Sequence, residues 1–321
     1  MDLQTTNAAP DTAALVSLAA GELRAVLAPH VGGSVASFTR QWQQDGRERR
    51  VNWLRPATTE ALARVNPLGM ASFPLVPFCN RIRDGRASFE GRQIRFPPNH
   101  PSDPSPHPLH GIGWQREWTV ESTAETQAVL ALQVHASEAW PWRFSARQQV
   151  SLHETALTVH MSLTNEDEVA MPAGIGHHPY FPHTQGTRLT SPTAAMWLGD
   201  AEVMPTQLEI GDTVASLREG IALSELNLDN NFIGWEREAL VEWPADADGP
   251  ARSLVMEADA PLDYFVLYCP RGYGHFCAEP VSQCTDWLNL LRQYGHEPLG
   301  GARLEPGETL RTGFTLTPRW R

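Results

Sequence analysis

From Leu157 to Leu163 apolar and polar residues alternate without a break, Leu157, Val159, Met161 and Leu163 being separated by Thr158, His160 and Ser162. A period of two sends successive side chains to opposite faces of a pleated strand, so the stretch from Leu152 to Leu163 predicts a half-buried β-strand. Shorter runs of the same kind fall at Leu23 to Leu27, Val129 to Val134, Leu262 to Tyr268 and Leu310 to Leu316. Turn-forming residues separate them, and the 24 glycines and 26 prolines fall mostly between runs. Many short strands joined by turns predict an all-β protein, a large antiparallel sandwich or barrel. Two segments read instead as short helices, Trp53 to Leu68 and Trp287 to Tyr294.

No linker of uniform Ser, Gly or Pro composition divides the chain, and no repeat at a period of 20 to 50 residues is visible. Residues 1–321 are therefore expected to form one domain, with residues 1–20 peripheral or poorly ordered. Phe96 to Pro108, FPPNHPSDPSPHP, is dense in proline but short, and reads as a structured surface loop.

Composition narrows the choice of partner. At 41% hydrophobic content, 321 residues can bury a sizeable core without staples. The 25 basic and 37 acidic residues leave a formal charge of -12, which repels nucleic-acid phosphates and anionic lipid headgroups. A neutral small molecule suits that field, whereas a nucleic acid or a membrane surface does not. Cys79, Cys269, Cys277 and Cys284 include no CxxC pair and are expected to be reduced thiols. The first twenty residues lack a basic leader followed by an apolar run, and no stretch of about 18 apolar residues occurs, so a cytoplasmic location is expected.

Four segments set ionisable residues beside apolar ones: PFCNRIRDG (77–85), HPLHGIGW (107–114), GIGHHPYF (174–181) and CAEPVSQC (277–284). A fifth, LDNNF (228–232), adds a carboxylate. Each has a bland reading. Taken alone, His178 is most simply a half-buried histidine bonded to a backbone carbonyl, in a segment where Gly174 and Gly176 permit unusual backbone shapes. Glu279 is either paired with an arginine or held for proton transfer. Arg81, Arg83 and Arg86 with Asp84 suit a solvated turn, yet Asn80 and Arg81 follow an apolar run, where a guanidinium can hold several hydroxyls. His110 fits a turn or a binding role. No H-E-x-x-H occurs, and adjacent His177 and His178 point to opposite faces of a strand, so no metal site is expected.

In the same order and at similar separations, these segments resemble the aldose 1-epimerase (galactose mutarotase) family over most of the chain, from roughly Leu23 onward. The matching elements are N-R-I before a glycine, the H-G of HGIGW, the H-x-Y-F of HHPYF, the D-x-x-F of LDNNF and the E-P of CAEPVS. The resemblance implies a galactose mutarotase-like β-sandwich that interconverts the α and β anomers of a free monosaccharide without a cofactor. It makes His178 the general acid and Glu279 the general base. Asn80, Arg81 and Asp229 would bind sugar hydroxyls, His110 would contact the sugar near its ring oxygen, and Tyr180 would line the pocket. His178 is chosen over His177 because it stands in register with Tyr180 and Phe181. Pro77 to Cys79 replace the usual Gly-Arg before Asn-Arg and PYFPHT replaces an Asn-Leu continuation, which leaves galactose itself open, and the missing Pro-Trp-Phe-Gly signature favours a neutral sugar over a sugar phosphate.

On this reading His178 keeps a proton near pH 7 through acidic neighbours, and tryptophan or phenylalanine faces pack on the sugar's CH groups. The lack of a GxGxxG opening a βαβ unit and of a P-loop agrees with chemistry that needs no redox cofactor or nucleotide. Two alternatives remain. One is a sugar-binding protein of the same fold without turnover, and the other a hydrolase or lyase using Glu279 and Asp229 as paired carboxylates.

Overall fold

The structure, a computed structural model, describes residues 15–246 and 249–320. It is an antiparallel β-sandwich built mainly from a nine-stranded and an eight-stranded sheet. The nine-stranded sheet runs, edge to edge, through Ile221–Ala222, Arg188–Thr190, Glu238–Trp243, Arg252–Ala258, Thr309–Trp320, Leu157–Asn165, Phe144–Leu152, Gln127–Val134 and Thr119–Thr123. The eight-stranded sheet runs through Pro205–Glu209, Ala195–Gly199, Leu228–Ile233, Tyr264–Cys269, His275–Val281, Gly176–His177 and Pro74–Leu75, with Tyr180–Pro182 also paired to His275–Val281. A four-stranded sheet, Val16–Ala20 to Arg47–Asn52, stands in sequence order. Of the twenty residues expected to be peripheral, 1–14 lie outside the described residues and Val16–Ala20 form the edge strand of this sheet.

The alternating pattern does what its period requires. Leu157, Val159, Met161 and Leu163 are buried, Thr158 and Ser162 half-buried, and His160 exposed. The strand begins at Leu157 rather than Leu152, because Leu152 closes the preceding strand and pairs with Leu157 across a four-residue turn. Across the other edge Val159 stands opposite Phe314 and Leu157 opposite Leu316, so two apolar rows meet on the core face. One apolar core draws residues from Leu18 to Leu316.

Trp287–Tyr294 is helical as its pattern predicts. The longer helix expected over Trp53 to Leu68 shrinks to Thr59–Ala63, followed by a 3-10 turn at Pro67–Gly69. Pro56 and Pro67 bracket the helical part, and Val65 takes a positive φ that ends it. Phe96 to Pro108 carries neither helix nor strand after residue 96, as a surface loop should. It is held by Asn99, whose amide donates to the carbonyls of Leu109 and Gly111 at 2.8 Å and accepts from Leu109 N at 2.6 Å.

Phe314 closes the core face between Val159 and the ring of His177, its centroid 5.1 Å from the imidazole. Truncation to alanine there leaves a cavity between the sheets. Phe314→Ala is expected to cost about 3–5 kcal/mol of unfolding free energy in urea titrations, and a loss below about 1 kcal/mol would contradict this packing.

Candidate active site

Strand register sets the site out in rows on one face of the eight-stranded sheet. Asp229 pairs with Tyr268, Tyr268 with Cys277, and Cys277 with Tyr180, giving one row of four. Two residues along, Asn231 pairs with Val266 and Val266 with Glu279. Gly176 pairs with Val281 and Tyr180 with Cys277, so counting inward from both pairs brings His178 level with Glu279. Residues directly opposite in an antiparallel pair share a face, and that puts the two side chains together. His178 Nε2 lies 3.2 Å from Glu279 Oε1.

His177 points the other way, as adjacent strand residues must. Its Nδ1 meets Ser72 Oγ and its ring packs on Phe314 in the core. The two glycines before it are needed for space rather than conformation, since neither adopts a positive φ. A Cβ on Gly174 would stand 1.9 Å from Gln283 Oε1, and one on Gly176 would stand 2.8 Å from the Pro280 carbonyl oxygen. Gln283 is thereby free to clasp Cys79, donating to its carbonyl at 2.7 Å and accepting from its N–H at 3.2 Å. That amide ties the Asn80–Arg81 segment to the strand carrying Glu279.

Asn80 and His110 hold each other. Asn80 N donates to His110 Nδ1 at 3.1 Å, and His110 N donates to the Asn80 carbonyl at 2.8 Å. Both take positive φ, 57° and 59°, a region costly for residues with a Cβ and kept here by the surrounding bonds. Because Nδ1 accepts a backbone proton, neutral His110 carries its own hydrogen on Nε2 and is a donor there. Burial pushes its pKa well below 6.5, and His178 and Arg81 push the same way. The Asn80 side chain is turned toward Arg81, accepting from Arg81 N at 2.9 Å and from Nη1 at 3.3 Å. Arg81 Nη1 in turn reaches Asp229 Oδ2 at 3.4 Å. Arg83, two residues on, leaves the site for Asp200 at 2.8 Å, so the basic run splits between a cavity and a surface ion pair.

His178 packs in an aromatic cluster. Its ring lies 4.8 Å from Phe73 and 4.7 Å from Tyr180, at interplanar angles of 26° and 21°, and those two rings lie 6.2 Å from each other. The Arg55 guanidinium lies over the Tyr180 ring at 3.8 Å and donates to the carbonyls of Leu68 and Met70. This packing corrects one expectation. Acidic neighbours do not hold His178 near pH 7; burial dominates and lowers it to about 3. Glu279 moves the opposite way, well above its ordinary 4.5, through burial and the charge of Asp229, with Arg81 opposing. Both shifts favour uncharged forms, a carboxyl beside a neutral imidazole.

All seven residues singled out from the sequence, Asn80, Arg81, His110, His178, Tyr180, Asp229 and Glu279, line one cavity of about 480 Å³. Arg55, Tyr268, Tyr273 and His275 also line it, as do His100, Ser102 and Asp103 from the proline-dense loop. The sequence reading passed over these. Tyr268 was reachable, since it stands directly across from Asp229 in register. None of the eleven tryptophans contributes to the lining, contrary to expectation. Most are buried, among them Trp53, Trp114, Trp140 and Trp287, because their bulk fills the space between layers.

The chain belongs to the aldose 1-epimerase family, whose pattern it matches over residues 14–317. It is similar to the uncharacterized protein YphB of Escherichia coli, with 30% identity over 284 residues, or 83% of this chain and 89% of that protein. A solved structure from Escherichia coli K12 superposes with a TM-score of 0.81 at 26% identity, covering 96% of this chain and 99% of the other. A galactose 1-epimerase from Lactobacillus acidophilus shares the fold with a TM-score of 0.71 at 15% identity, covering 97% of this chain and 96% of its own. Among the described residues no helix is long and apolar enough to cross a membrane.

Burial lowers His177 as well, from 6.5 to about 3. The folded state then refuses a proton that the unfolded chain accepts, so stability is full above pH 6.5 and falls as the pH drops toward 3. The loss for His177 is up to roughly 4–5 kcal/mol. Glu279, raised by burial, contributes with the opposite sign. Urea titrations at pH 7, 5.5 and 4.5 should show wild type losing stability more steeply than His177→Gln; parallel curves would refute the assignment.

Proposed function

We propose that the protein is a mutarotase, an aldose 1-epimerase that opens and recloses the ring of a free, neutral monosaccharide on a single β-sandwich domain. The observation that carries this reading is the His178–Glu279 contact of 3.2 Å inside a cavity lined with hydroxyl-binding groups. Ring opening removes the proton of the C1 hydroxyl and protonates the ring oxygen, so one base and one acid must reach adjacent oxygens. Glu279 is the base and His178 the acid. Arg81, Asp229 and Asn80 supply donors and acceptors for the remaining hydroxyls, His110 offers its Nε2 hydrogen, and Tyr180 walls the pocket beside His178.

Burial defines how the proton moves. At this buried pair a single shared proton sits best on the carboxyl, leaving the imidazole neutral. Transfer across the contact gives a carboxylate and an imidazolium with no change in total charge and no exchange with solvent. Sugar hydroxyls and Arg81 favour that charged form when substrate is bound. Glu279 then takes the C1 proton and His178 gives its own to the ring oxygen, which returns the pair to carboxyl and neutral imidazole. The open-chain aldehyde therefore meets the protonation state that burial favours, the kind of differential stabilisation that speeds a step. After rotation about C1–C2 the same groups act in reverse on the other face of the carbonyl.

Asp229 is engaged by Arg81 and Glu279 by the imidazole. That arrangement supports ring opening over hydrolysis by two carboxylates, in which His178 has no part. Four buried free thiols suit a reducing, cytoplasmic setting.

Polarimetry on freshly dissolved α-glucose and α-galactose in weakly catalysing buffer tests the reading. Wild type should accelerate equilibration of at least one aldose, and Glu279→Gln and His178→Asn should each lose about 10²–10⁴ of that acceleration. Sugar binding without acceleration across a wider aldose panel would instead make this a binding protein.

A further inference from the structure

We propose that His178, Cys277 and Glu279 together form a site for a thiophilic divalent cation, zinc foremost, whose occupancy shuts the acid–base pair. The cation site rests on geometry alone; the claim that it stops turnover rests on the epimerase reading. Cys277 takes no part in ring opening, yet it lies in the row between Tyr268 and Tyr180 and shares a sheet face with Glu279 two residues on. One donor atom from each of the three residues falls within 4.8 Å of the other two. A point among three atoms so spaced lies at most about 2.8 Å from each, against the roughly 2.0–2.3 Å that zinc takes to nitrogen, oxygen and sulfur. A contraction of about half an ångström completes the site. The His178–Glu279 edge needs none: 3.2 Å is close to the roughly 3.3 Å that two ligands leave between them on a tetrahedral ion.

Donor chemistry selects the ion. Imidazole, thiolate and carboxylate suit zinc, whereas calcium and magnesium prefer oxygen alone. Three protein ligands leave the fourth position for a water from the cavity. Charge agrees as well. Thiolate and carboxylate neutralise a dication, so the occupied site adds no net charge to a buried region. Of the two guanidiniums nearby, Arg81 is held by Asp229, and Arg55 donates to the carbonyls of Leu68 and Met70. Glu279 Oε2 is buried and has no hydrogen-bond partner, leaving a second carboxylate oxygen to turn toward an ion. A bound ion occupies the Nε2 lone pair of His178 and the carboxylate of Glu279, so it competes with the sugar.

The spacing of histidines hides this site. His100, His107 and His110 are close in sequence, but His107 accepts from Asp84 N at 2.9 Å away from the pair, and His177 faces the core. The thiol that joins His178 comes from a different strand.

Metal-free full-length protein titrated with Co²⁺, with Zn²⁺ calorimetry alongside, decides the matter for wild type, Cys277→Ser and Cys277→Ala. Wild type should bind one Co²⁺ with a near-ultraviolet thiolate-to-cobalt band that Zn²⁺ displaces. Both variants should lose the band and bind Zn²⁺ roughly a hundredfold or more weakly, with thermal melting and basal mutarotation unchanged. Zn²⁺ should inhibit wild-type mutarotation competitively with sugar, a chelator should restore it, and the variants should resist. No thiolate band in wild type, or equal Zn²⁺ affinity in the variants, overturns the proposal, since the ion would then sit on surface histidines. Should no aldose be turned over, the cobalt band still decides the site while the epimerase reading falls by itself.

Discussion

A carboxyl and an imidazole 3.2 Å apart, both buried in the cavity wall, set the terms for everything around them. Neither can carry a lone charge there cheaply, so the region works best with one proton shared between the two. The surroundings follow from that requirement. Asp229 does not face Glu279 as a bare negative charge, because Arg81 stands against it at 3.4 Å. His110 is neutral and its hydrogen is directed by a backbone donor to Nδ1. The site is rich in ionisable groups, and its main elements are paired so that little charge is left over.

What brings the pair together is strand register. Pairings of Gly176 with Val281 and Tyr180 with Cys277 leave His178 no place other than beside Glu279, although a separation of 101 residues would allow countless other arrangements. Register also explains why short motifs spread over the sequence make one site. Each motif marks the point where a separate strand or adjoining loop reaches the same sheet face.

Much of this was legible beforehand and some was not, for identifiable reasons. Alternation from Leu157 to Leu163 exposed the strand and its buried face, because a period of two is a local property. The opposed directions of His177 and His178 follow from the same local rule. Arg55, Tyr273 and His275 carry no such signal, since their place in the cavity depends on which strands pair. The protonation of His178 is hidden in the sequence, because acidic neighbours can be guessed from it while the Phe73 and Tyr180 rings that bury the imidazole cannot. Gly174 is similar: a Cβ there would stand 1.9 Å from Gln283 Oε1, and Gln283 is a distant residue in sequence.

The packing of His178 against Phe73 and Tyr180, with its Nε2 on Glu279, has a stereochemical consequence. An imidazole wedged in this way keeps one orientation, so the same nitrogen, in the same direction, must serve a sugar on its way to either anomer. On the proposed chemistry the protein is a stator. The rotor is the substrate, whose C1–C2 bond does all the turning, and the floor of the cavity must leave that aldehyde end enough slack to swing while the far hydroxyls stay anchored.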